Sequence, residues 1–70
     1  MRILTQHIMQ QIFEVIDELD LDREAIQVPL ALEGDGRVAR LANGKIEIAP
    51  PDAEDLAPFL ARLPKLLAAL

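Results

Sequence analysis

Seventy residues with seven basic and twelve acidic side chains carry a formal charge of −5, which repels phosphate backbones and argues against nucleic acid as the main partner. Without cysteine the chain has neither a disulfide framework nor a thiolate metal cluster, and a domain near this size buries only about 60% of the surface its unfolded form exposes. Hydrophobic residues make up 51% of the chain, and Phe13 and Phe59 are its only aromatics, so the composition predicts one globular domain, 1–70, with an aliphatic core.

No apolar run reaches the ~18 residues of a membrane span, and no basic stretch leads into a long apolar run at the start. The expectation is a soluble, cytoplasmic protein.

The opening "MRILTQHIMQQIFEVIDELD" predicts an amphipathic helix over about 3–20. Leu4, Ile8, Ile12, Val15 and Leu19 recur at spacings of three and four and share a face. Met9, Phe13 and Ile16 widen that face beyond what one partner surface needs. Acids crowd the helix end, where the backbone dipole favours cations by ~0.3–1 kcal/mol.

Next, "IQVPLALE" alternates Ile26, Val28, Leu30 and Leu32 with other residues, the period of a strand with one buried face. Asp35-Gly36 and Asn43-Gly44 are dipeptides that two-residue hairpin turns prefer. Folding about Asn43-Gly44 sets Leu41 opposite Ile46, Ala39 opposite Ile48 and Arg40 opposite Glu47. Folding about Asp35-Gly36 sets Leu32 opposite Ala39 and Leu30 opposite Leu41. Both registers place the apolar residues on one face, and Pro29 falls on the outer side of an edge strand, where its missing N–H is tolerated. Three strands are therefore predicted, over about 26–33, 37–42 and 45–49, in an antiparallel meander of order 1-2-3.

The remaining "PPDAEDLAPFLARLPKLLAAL" predicts a kinked helix over about 52–69, starting from an Asp52 cap. Leu56, Phe59, Leu60, Leu63, Leu66, Leu67 and Leu70 form one stripe, with Pro58 and Pro64 off it. The predicted class is α+β: a two-layer α-β-β-β-α sandwich with both helices on one face of the sheet. Double-stranded-RNA-binding domains share that order, but they open the final helix on lysines where this chain has "DAEDLA".

Catalytic chemistry finds little material. His7 is the only histidine, Thr5 the only hydroxyl, and Ser and Cys are absent, so no nucleophile–base pair or metal set is predicted. The run "DELDLDRE" puts Ala25 and Ala31 where a calcium loop needs glycine and glutamate. "EGDGR" leads into a strand, unlike a phosphate loop, which leads into a helix. No cofactor is expected.

These exclusions leave a non-enzymatic, acidic protein–protein interaction module that self-associates, with a homodimer as its commonest closure. Met9, Phe13, Leu66, Leu67 and Leu70 are the candidate self-association residues. Arg40, Lys45 and Glu47 on the outer sheet face, with Arg37 of the same strands and Asp17, Glu18 and Asp20 of the acidic run, are the candidate docking residues for another protein. A regulator contacting nucleic acid through the sheet cations, and a small ligand carrier, are the alternative readings.

Overall fold

The computed structural model describes residues 2–70, with side chains from Ile3 onward. The chain runs through strand β1 (Arg2–Ile3), helix α1 (Gln6–Glu18), a 3-10 turn (Arg23–Ala25), strands β2 (Ile26–Gln27), β3 (Ala31–Leu32), β4 (Arg37–Arg40) and β5 (Ile46–Ala49), and helix α2 (Ala57–Ala68).

α1 begins where Thr5 can cap it. Thr5 is extended (φ −107°, ψ 164°), and its hydroxyl accepts the Ile8 N–H at 3.2 Å, satisfying one donor of the first turn. The residues before the cap are released from the helix and form β1. Ile12 and Ile16 carry the buried face of α1, and Phe59 and Leu63 that of α2, each pair four residues apart. These four close on Ile48 of β5 to make the core, with Val38, Ile46, Ile26 and Val28 packed against it.

α2 starts at Ala57, later than an Asp52 cap would put it. The Asp55 carboxylate accepts the Ala57 N–H at 3.0 Å, and Pro58 falls in the first turn, where a missing N–H breaks no helical bond. Pro64 lies inside the same helix, on its exposed side.

The sheet corrects the predicted meander. It is three-stranded and mixed, of order β2-β5-β4, with β2 parallel and β4 antiparallel to β5. β5, expected at an edge, is central. The predicted strand over 26–33 breaks in two, because Pro29 cannot continue a ladder and Leu30 turns outward. Its first part becomes β2. Its second part, β3, leaves the sheet and pairs antiparallel with β1, Arg2 opposite Leu32 and Ile3 opposite Ala31.

The β4–β5 hairpin forms, one residue out of the predicted register. Val38 pairs with Ile48, Ala39 with Glu47 and Arg40 with Ile46. A two-residue turn on Asn43-Gly44 needs positive φ at both residues, and of the two only Gly44 has it, at 87°. The chain closes a three-residue loop instead: Leu41 N–H donates to the Lys45 carbonyl at 2.8 Å and Gly44 N–H to the Leu41 carbonyl at 3.0 Å. One residue of slip exchanges the faces. Val38 moves to the core side together with Arg40, while Arg37, Ala39, Glu47 and Ala49 occupy the outer side.

The predicted hairpin about Asp35-Gly36 is absent. Gly36 has φ 84° but Asp35 does not adopt a positive φ, so the segment opens into a wider loop. That loop is tied to the approach to α2, where Asp52 N–H donates to the Gly34 carbonyl at 3.0 Å.

A Cβ built on Gly36 would lie 2.6 Å from Phe59 Cδ1 and 3.0 Å from Pro51 Cδ, whereas one on Gly34 meets nothing within 4 Å. Both glycines have left-handed backbones. Gly34→Ala is expected to cost about 1 kcal/mol, the conformational term alone. Gly36→Ala should add about 1–3 kcal/mol of overpacking, so its urea midpoint falls well below that of Gly34→Ala.

Candidate functional site

The most apolar concavity lies where both helices end. It is an open groove of about 330 Å³, walled by Leu19 and Leu21 beyond α1, Ile46 of β5, and Pro64, Leu67 and Ala68 of α2. Arg40 is the one charged residue lining it.

Local backbone chemistry places the two leucines. After Glu18 the helix closes with paired reverse bonds: Leu21 N–H donates to the Ile16 carbonyl and Asp20 N–H to the Asp17 carbonyl, each at 3.1 Å. This ending needs a left-handed residue at its turning point, a place glycine usually fills. Here Asp20 fills it, at φ 60°, the only non-glycine with positive φ among the described residues. A side chain in that region is unfavourable, and an acid beside the negative end of a helix dipole adds to the cost. Leu19 and Leu21, on either side of Asp20, remain partly exposed at 37% and 36%.

The following segment folds upon itself. Arg23 grips Asp17 side-on, its Nε donating to Oδ1 at 3.1 Å and its Nη2 to Oδ2, and its guanidinium lies 4.9 Å from the centroid of Phe13. This hydrogen bond, with the charge of Arg23, holds the Asp17 carboxyl below the usual carboxylate range and raises Arg23 in turn. Asp22 caps the 3-10 turn by accepting the Glu24 N–H at 3.0 Å. Asp17 and Asp22 thus serve structure, while Glu18 and Asp20 stay exposed beside the groove.

Comparison with protein-family models, with curated proteins and with solved structures finds no match.

The residues singled out in the sequence divide. Leu67 lines the groove, and Leu70, 41% exposed, ends the chain just beyond α2. Leu66 and Phe13 are half-buried against the core, and Arg23 covers the ring of Phe13. Met9 is half-buried on α1.

The sheet cations do not gather. Arg37 is ion-paired with Glu47 at 3.0 Å on the outer face, where Arg40 was expected to make that pair. Arg40 is on the opposite face at the groove, and Lys45 is in the hairpin loop, its N–H donating to Asn43 Oδ1 at 2.9 Å. The Arg37–Glu47 pair borders a small outer cavity of about 170 Å³ with Pro29, Ala31, Glu33 and Ala49. Among the described residues no three His, Cys, Asp or Glu side chains are grouped to hold a metal ion, and no polar side chain is buried. Among the described residues no helix is long and apolar enough to cross a membrane.

Sequence reasoning missed Leu19, Leu21, Ile46, Pro64 and Ala68 as members of one surface. A signal existed for the first two: they are apolar residues inside an acidic run that solvation alone would keep polar.

Asp20→Gly is expected to stabilise the fold by about 1 kcal/mol, which raises the melting temperature by roughly 4–8 °C in calorimetry. Arg23→Ala should return the Asp17 carboxyl upward toward the ordinary carboxylate value in an NMR titration. Because the folded-state value is depressed, the stabilisation from this pair is present above the unfolded value and is lost as pH falls through the folded one. Exposure of both side chains to solvent keeps that contribution small.

Proposed function

We propose that the protein is a non-enzymatic interaction module that self-associates, with the groove between the ends of α1 and α2 as its docking surface and a second copy of the chain as occupant. The observation that carries this reading is the conjunction at Asp20. An open apolar wall adjoins the one place where the chain keeps an unfavourable backbone and an unfavourable charge. Strain retained beside an exposed site is a pointer to function, because selection for stability alone favours glycine there.

The wall is apolar enough to gain from burial, and the rim carries both signs of charge. Glu18 and Asp20 lie on the α1 side and Arg40 on the sheet side, so the surface suits a partner bearing the same arrangement. A core this small also gains stability from association. Arg37, Arg40 and Lys45 lie apart, which weighs against the nucleic-acid reading.

Sedimentation equilibrium should show a mass above 7.8 kDa that rises with concentration in the micromolar range. Ala68→Lys sets a long charged side chain at the groove from an exposed position near the end of α2, where a cation suits the helix dipole. It should keep the melting temperature of the dilute protein and weaken association at least about tenfold. A wild-type chain that stays monomeric at several hundred micromolar overturns the reading.

A further inference from the structure

Resting on that reading, we infer that the element of the second copy that enters the groove is the β1–β3 ribbon, led by Leu30 and Ile3. These are the most exposed large apolar side chains among the described residues, at 74% and 66%. They belong to one small unit: Ile3 pairs with Ala31, and Leu4 N–H donates to the Leu30 carbonyl at 2.7 Å. Leu32 of the same ribbon is buried and anchors it, while Leu30 and Ile3 stay exposed.

The ribbon and the groove lie at opposite ends of α1. Ile3 precedes the Thr5 cap, and Leu19 and Leu21 follow the last turn, about 20 Å away along a helix of 13 residues. The ribbon therefore cannot fill the groove of its own chain, and only another copy can bring the two together.

Shape selects this pairing over groove against groove. Two concave walls set face to face leave unfilled space, whose lining forfeits dispersion contacts, whereas a projecting aliphatic side chain fills it. Charge agrees. Glu33, one residue beyond the ribbon, and Arg40, the cation of the groove, have no ionic partner within the chain among the described residues. Docking ribbon into groove brings an acid toward that arginine. Reciprocal exchange closes a twofold pair and one-way docking gives a ring or an open chain, and the same contact underlies each.

A mixing experiment tests the contact. Leu30→Glu disables the ribbon and leaves the groove, and Ala68→Lys disables the groove and leaves the ribbon. Each variant alone should be at least about tenfold weaker in self-association than wild type by sedimentation equilibrium. An equimolar mixture should form a one-to-one pair, because one intact ribbon meets one intact groove. Ile3→Asp provides an independent ribbon variant, and circular dichroism at low concentration verifies that each variant is folded. Wild-type-like association by folded Leu30→Glu and Ile3→Asp, or a mixture that stays monomeric, overturns the ribbon assignment while leaving self-association intact. A monomeric wild type overturns both.

Discussion

The contact between Phe59 and Gly36 is the constraint on which the architecture rests. Phe59 is the largest fully buried side chain, and its ring lies where a side chain at residue 36 would have to be. The close approach pins the loop after β3 onto the first turns of α2, and the bond from Asp52 to the Gly34 carbonyl secures the same junction. The loop is held against the helix, and β4 does not lie beside β3. β4 takes one side of β5 and β2 takes the other in parallel. Ile48 becomes the centre of the sheet and the floor of the core.

The molecule spends its stability unevenly. Its central contacts are apolar, with no polar side chain buried among the described residues. At the far end of α1, by contrast, an aspartate holds a backbone conformation that suits glycine, two leucines stay partly exposed and a proline interrupts the hydrogen bonds of α2. Local rules are broken at both ends of α1: beside the groove, and at the ribbon, where Leu30 and Ile3 stay exposed. A folded chain departs from local preference mainly at sites kept for another purpose.

The legible and illegible parts of the sequence differ by the range of the forces involved. The buried pairs Ile12–Ile16 and Phe59–Leu63 follow from helical spacing, and the β4–β5 hairpin follows from the glycine at its turn. The hairpin's register does not. Asn43-Gly44 suits both a two-residue and a three-residue loop, and the choice falls to whichever face buries Val38 with Ile48. Leu30 misled because alternation assigns it to the core, while Pro29 beside it redirects the chain. Thr5 was readable as a cap, yet the continuous apolar pattern from Ile3 onward concealed the break.

By itself, the sequence determined the helical faces, the largely aliphatic core and the position of the hairpin, because each follows from short-range periodicity or from the residue types present. Only the tertiary structure decided which strand is central, which register the hairpin takes and which leucines remain uncovered. Strand partners far apart in sequence are chosen by competition for the same sheet edge. Here β2 takes the free edge of β5, although more of the chain separates them than separates β4 from β5.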